Sequence, residues 1–438
     1  MKTMSILCAT AAICVACCSL PAAETKPPPP RLAWKAGAAR AVITPKHDMW
    51  MAGYAARKKP SEGVAQDLFA KALALEDERG GRLVVVTMDL IAVRRGLRDV
   101  VASRCQEKFK LPPDRLLLNA SHTHCGPEYQ PTQESHQEFK AGTAEYLAGL
   151  EDSLVRIVGE ALERLAPASV SFAHARCGFA MNRRRLVPGR GFINSSTFDG
   201  PVDHEVPVVA VRDAEQHLLA VAFGYACHNT SLVSVTPKTT SPRYLFNGDY
   251  AGFAQQVLEQ IYPGTTALFV NGCSGDQNPY PRGDEVPGKL PLELAAHHGR
   301  SLAYSVVVAL GNVPQPIEGP VAAAFDTVEL ERNHDKPKVD YPIQVVRLGD
   351  RLTLVALSSE TVVDYSLRLK SEIRSPITWI AGYSNDMVGY IPSRRVAAEG
   401  GYEAGGDYAL DVEERIIGRT HELLGRIAPA IASGSAGQ

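Results

Sequence analysis

The stretch KALALEDERGGRLVVVTMDL, Lys71–Leu90, sets two apolar runs on either side of a polar Asp/Gly centre. That is the signature of two strands joined by a tight turn. The same plan recurs in VPVVAVRDAEQHLLAVAFGYACHNTS (Val206–Ser231) and in IQVVRLGDRLTLVALSSET (Ile343–Thr361). In each, the second apolar run delivers a polar residue at its C-terminal end: Asp89, His228 and Glu360. Strand ends hold side chains in place while the loops beyond them open to solvent, so functional groups gather there in mixed folds.

Helical periodicity fills the intervals. GTAEYLAGLEDSLVRIVGEALERL (residues 142–165), GDYAGFAQQVLEQIY (248–262, with Asp249 as N-cap), ETVVDYSLRLKSEIR (360–374) and LDVEERIIGRTHELLGRIAPAIA (410–432) all repeat apolar residues at three- and four-residue spacing. No low-complexity linker interrupts residues 32–430. The expectation is an α/β fold: a mixed sheet built from β-hairpins with flanking helices, in one large domain.

Composition is that of a globular chain, with 438 residues, 45% hydrophobic, 21% charged and a formal net charge of −2. That balance gives no electrostatic reason to expect nucleic acid as partner. Lys2, the apolar run Met4–Leu20 and SLPAAE match a secretory signal over residues 1–23, so the protein is expected to be exported to the periplasm or beyond. Cys8, Cys14, Cys17 and Cys18 within it raise lipidation, although CVAC and VACC each break the lipobox pattern. Residues 24–31, rich in proline, read as a stiff tether, and no later segment reads as transmembrane. Five cysteines follow: Cys105, Cys125, Cys177, Cys227 and Cys273. Their odd number and long spacings do not make a disulfide framework, and packing is the favoured role.

Several polar groups invite chemistry. His122 and His124, in LLLNASHTHCGPEY (Leu116–Tyr129), lie two apart after a short buried strand. On an extended chain both point to one side and can approach one ion, while hydrogen-bonded loop histidines fit equally well. His228 could be a satisfied core histidine, and Glu360 a first-turn helix acid favoured by the macrodipole. Two histidines and a carboxylate from separate elements would nevertheless suit a catalytic zinc with an open position. Residues 382–407, GYSNDMVGYIPSRRVAAEGGYEAGGD, read either as a long surface loop or as a functional one offering Tyr390 and Tyr402. FVNGCSGDQNPYP (Phe269–Pro281) is a strand entering a Gly/Asn turn without P-loop spacing. In MNRRRLVPGR, Arg184 and Arg185 fit a solvated basic turn.

Taken in order, AGAARAVITP, MAGYA, ASHTHCGP, MNRRR, ACHNTS, NGDYAGFA, GDQNP, SSET and YSNDMVGYIP…GGYE resemble the neutral/alkaline, non-lysosomal ceramidase family. The resemblance implies a zinc amidase domain that cleaves an N-acyl bond. By position it puts the Zn2+ ligands on His122, His228, Glu360 and Tyr390, a substrate-side histidine on His124, an active-site arginine on Arg183 and a tyrosine on Tyr402. Two departures stand out. The family's serine falls on Asn278, which cannot accept an acyl group, so a serine-based covalent route is excluded at this position. The chain is also expected to lack the family's C-terminal immunoglobulin-like domain. The implied substrate is a small-molecule N-acyl compound, lipid or amino sugar. Deacetylation of amino sugars, ester cleavage on the same zinc, and an inactive secreted binding protein stay open as alternatives.

Overall fold

All three hairpins form. Phe69–Asp77 pairs antiparallel with Arg82–Met88, Glu205–Arg212 with Leu218–Tyr225, and Val339–Leu348 with Leu352–Leu357. In the first, the Asp77 carboxylate accepts the backbone N–H groups of Arg79 and Gly81 at 2.7 and 2.8 Å, which closes the turn. The structure, a computed structural model, describes residues 30–130, 140–232, 244–283 and 290–428. The expected leader with its cysteines, nearly all of the tether and the last two residues of the 32–430 segment lie outside these.

The hairpins do not share one sheet. The first two belong to a nine-stranded mixed sheet, and the third belongs to a four-stranded one made of Val321–Leu330, Val339–Leu348, Leu352–Leu357 and Ile377–Ala381. Trp34, Leu73, Val170 and Phe172 of the large sheet pack on Val346, Leu354 and Trp379 of the small one. Helices cover the outer faces. Leu97 and Val101 of Arg95–Phe109 and Leu154 and Ile157 of Lys140–Glu163 fill one cluster. Tyr250 and Leu258 of Asp249–Ile261 join Leu302 and Val306 of Pro291–Gly311 in another. Tyr365 and Leu369 of Val363–Glu372 and Ile416 and Leu423 of Val412–Arg426 cover the small sheet. The order is therefore helix, sheet, sheet, helix. Sheets buried on both faces explain runs such as LVVV and LLL, which are continuous rather than alternating.

Arg95–Phe109 and Pro291–Gly311 are helices that the sequence reading did not anticipate. The helix expected over 360–374 begins only at Val363, so Glu360 is not a first-turn acid; it lies in a short strand before the helix. The ends of the large sheet approach each other: the backbone N–H of Asn271 donates to Asn119 Oδ1 at 2.9 Å, and Asn271 Nδ2 donates to the Ser121 carbonyl at 3.0 Å. That closure brings the chain after Leu116–Ala120 beside the chain after Leu218–Tyr225. From Leu32 on, the described residues form one compact unit. Among them no helix is long and apolar enough to cross a membrane.

Candidate metal centre

His122 and His124 follow the strand Leu116–Ala120, His228 follows Leu218–Tyr225, and Glu360 follows Leu352–Leu357. The strand ends of both sheets thus meet at one place. Glu360 and Tyr390 lie side by side in a short parallel pairing of Glu360–Thr361 with Tyr390–Ile391. The backbone is forced there. His122, Ser359, Tyr383 and Asn385 all hold positive φ, of 65°, 64°, 49° and 64°. Such conformations cost bulky residues free energy and persist where surrounding contacts over-determine them.

The side chains converge. His122 Nε2 lies 3.3 Å from Glu360 Oε2, and His228 Nε2 lies 3.2 Å from the same oxygen. His124 Nε2 lies 3.1 Å from His122 Nε2. The three imidazoles make a cluster able to hold a metal ion, with ligand atoms within 4.8 Å of one another. The three histidines are buried, and Glu360 keeps 14% of its side chain exposed, so solvent reaches the cluster from its side.

Proton accounting tests whether a cation fits. His122 Nδ1 contacts the Ile91 carbonyl and His228 Nδ1 the Ser274 carbonyl, each at 2.6 Å. A carbonyl only accepts, so both Nδ1 atoms carry the proton, and in the neutral rings both Nε2 atoms are bare lone pairs. Burial, reinforced by the charge of Arg183, holds His228 down to about 3, so it is neutral at pH 7. Burial pushes Glu360 up, but its interactions with His122 and His228 outweigh that and hold the carboxyl well below its usual range. An unprotonated imidazole nitrogen therefore faces a carboxylate oxygen: two acceptors with no hydrogen to share. A cation between them resolves the conflict. Tetrahedral zinc, with bonds of about 2.0–2.1 Å, sets its ligand atoms about 3.3 Å apart, the spacing of both contacts to Glu360.

His124 differs from the other two. Its Nδ1 has no partner among the described residues, whereas ligating histidines almost always donate their second N–H to a carbonyl or carboxylate. It is seated from outside. Gly53, at φ +97°, passes so close that a Cβ there would meet His124 Nδ1 at 2.4 Å, and the Tyr54 ring lies 4.7 Å away. Burial and the two neighbouring histidines keep its pKa well below the usual histidine value.

Arg183, on the strand Ala180–Val187, is buried. Its Nε donates to Glu403 Oε1 at 2.8 Å and its Nη2 to the Gly275 carbonyl at 2.7 Å. The guanidinium lies 5.4 and 5.5 Å from the rings of Tyr390 and Tyr402. The Tyr390 ring runs nearly parallel to His228 at 6.5 Å. Burial and the Glu360 charge raise its pKa, so the metal-free phenol keeps its proton. Asn278 is fully buried; its Oδ1 accepts from Arg183 Nη1 and Thr230 Oγ1, both at 3.4 Å, and its Nδ2 has no partner among the described residues. Tyr402 is 55% exposed and marks the outer edge.

Arg184 corrects an expectation. It lies in a strand, not a solvated turn, and is buried with Nη1 donating to Glu403 Oε2 at 2.7 Å and Nη2 to Glu399 Oε2 at 3.1 Å. Arg185 is exposed as expected. Glu403, which sequence reasoning passed over beside Tyr402, is thus the shared anion of two guanidiniums. Tyr383 was also missed. The segment around it is buried, its ring packs on His122 at 4.4 Å, and its hydroxyl accepts from Ser274 Oγ at 3.0 Å. All five cysteines are buried and free, with no disulfide among the described residues.

Residues 34–284 match the sequence model described as neutral/alkaline non-lysosomal ceramidase, N-terminal. The neutral ceramidase of Pseudomonas aeruginosa is 23% identical over 349 residues, covering 75% of this chain and 50% of that protein. The Mycobacterium tuberculosis neutral ceramidase is 25% identical over 306 residues, covering 65% and 46%. The chain spans about half the length of these curated relatives. The crystal structure of the Pseudomonas aeruginosa enzyme superposes with a TM-score of 0.72 at 18% identity over 87% of this chain and 72% of that one. A ceramidase complexed with C2 gives 0.73 at 17% identity over 89% and 76%. With more than half of its residues inside that sequence model, the chain belongs to the neutral/alkaline non-lysosomal ceramidase family.

Proposed function

We propose that the protein is an exported zinc-dependent hydrolase that cleaves the N-acyl amide bond of a small-molecule substrate. Ceramide-like lipids are the class to which its relatives' names point. The observation that carries this reading is the convergence of His122 Nε2 and His228 Nε2 on Glu360 Oε2, with neutral His228 and the carboxylate facing each other as two acceptors. His122, His228 and Glu360 would hold the ion, with Tyr390 as fourth ligand beside Glu360. When bound, zinc supplies Lewis acidity and lowers the pKa of water toward about 7.

The remaining groups have separate tasks. Arg183, charged and held by Glu403, aims its positive field at Tyr390 and stabilises negative charge on the substrate's carbonyl oxygen, together with Tyr402. Asn278 offers its free Nδ2–H donors to orient the substrate, with its oxygen pinned by Arg183 and Thr230. His124, neutral at rest and unpartnered at Nδ1, would take up the proton that the attacking water gives up and pass it to the departing nitrogen. No acyl group is passed to the protein in this scheme, since an amide side chain stands at residue 278. Export rests on the N-terminal apolar run over residues 1–23.

The test couples metal analysis to a panel of N-acyl lipids, N-acetyl sugars and matched esters. The expected result is one zinc per chain and amide cleavage abolished by chelation, with His228→Ala losing both metal and activity. Equal turnover by the His228→Ala variant, or by the chelated protein, would sink the reading.

A further inference from the structure

The hairpin of Ala180–Val187 and Gly191–Thr197 carries Arg183 into the centre; Phe192 on it packs near Gly401 and under the Arg184 guanidinium, while its outer side chains face outward. Leu186 is 64% exposed, and Phe198, just past the second strand, is 75% exposed. Leu186 pairs across the hairpin with Phe192, and the Phe198 ring meets Tyr280, itself 38% exposed, edge-on at 5.6 Å. None of these four side chains belongs to the large hydrophobic clusters among the described residues. Arg185 and Arg190 are exposed on the same hairpin, and neither has an ion-pair partner among those residues. Asp199, also exposed, offsets one of the two charges.

We propose that this hairpin docks the mouth of the site on an anionic lipid surface. Leu186, Phe198 and Tyr280 enter the boundary between headgroups and acyl chains, and Arg185 and Arg190 meet the headgroups. Leucine and aromatic side chains beside arginines are the composition that lies in that boundary, and anionic lipids draw basic residues to it. The two arginines favour lipid over an apolar protein partner, which would have to desolvate them without a counter-charge. Tyr402, half-exposed beside Arg183, borders the opening that the hairpin would turn toward the surface. This goes beyond the hydrolase reading and is tested without turnover.

The purified protein is sedimented with phosphatidylcholine vesicles and with vesicles that also contain phosphatidylglycerol. Wild type is expected to pellet with the anionic vesicles and to be released by salt. Each arginine contributes on the order of fivefold to such partitioning. Arg185→Glu/Arg190→Glu should therefore weaken it by roughly tenfold or more, and Leu186→Asp/Phe198→Asp should abolish it. Both variants should keep the wild-type circular dichroism and melting temperature, which separates lost docking from lost folding. Wild type remaining in solution with both vesicle types, or well-folded variants that pellet like wild type, would overturn the proposal. A failure of amide cleavage would leave this readout untouched.

Discussion

His122 and His124 are two residues apart and their Nε2 atoms nearly touch, yet their other nitrogens separate them. His122 Nδ1 is anchored to the Ile91 carbonyl, which fixes the ring and turns its lone pair inward. His124 Nδ1 is anchored to nothing among the described residues, and its ring is held by packing from Gly53 and Tyr54. A ring fixed by a second hydrogen bond makes a tight ligand, and losing one ligand of a small set is severe. His122→Ala should therefore empty the site, and metal analysis after dialysis should find less than a tenth of the wild-type zinc, on the 10–100-fold scale that even outer-sphere changes reach. His124→Ala should retain zinc and lose rate, by about 10²–10⁴-fold if it moves a proton. Zinc loss from His124→Ala equal to that from His122→Ala would instead place His124 among the ligands.

The elements that carry the site come from distant parts of the chain, and one carboxylate ties two of them. Glu403, in the short 3-10 turn Tyr402–Ala404, accepts from Arg183 and Arg184 on the strand Ala180–Val187. Removing one partner from a buried ion pair costs about 3–5 kcal/mol, because the remaining charge is left without compensation. Glu403→Gln keeps the shape and one acceptor oxygen, so urea unfolding should register a loss near the lower end, about 3 kcal/mol. Arg183 would lose its tether at Nε, so turnover should fall with it; a variant as stable as wild type would show that Glu403 is not the anchor. The strands, and the ends that deliver His122, His228 and Glu360, were legible in the sequence because apolar period and turn chemistry are local. Arg184 and Glu403 lie 219 residues apart, and no local pattern distinguishes a paired buried arginine from a solvated one. The same holds for Tyr383, whose Gly- and Asn-rich surroundings have loop composition but are packed between the two sheets. The stacking of a second sheet on the first was equally hidden, since alternation along a strand does not say which sheet it joins.

At the scale of the whole molecule, concentrating buried titratable groups in one centre makes stability depend on pH. His124 and His228 are both held below their ordinary value by burial, His228 to about 3. An unfolded chain binds protons at these histidines below about pH 6.5, while the folded, metal-free chain refuses them. Stability therefore falls as pH drops from 6.5, with a limiting slope of about 1.4 kcal/mol per pH unit for each group. Asp276 works the other way. Burial raises its carboxyl to about 6, so the folded state takes up its proton before the unfolded state does. Between about pH 6 and 4 it adds stability as pH falls. Asp89 and Asp249 are also raised by burial and work with Asp276. Glu360 and Asp203, held low, work with the two histidines, whose loss begins first, from about pH 6.5. The chelated protein should accordingly be less stable to urea at pH 5 than at pH 7. Asp276→Asn, which removes one of the opposing groups, should steepen that difference. Equal or greater stability at pH 5 in the metal-free wild type would mean that the histidines are not held neutral by burial. The proton argument for a cation between His228 and Glu360 would then lose its footing.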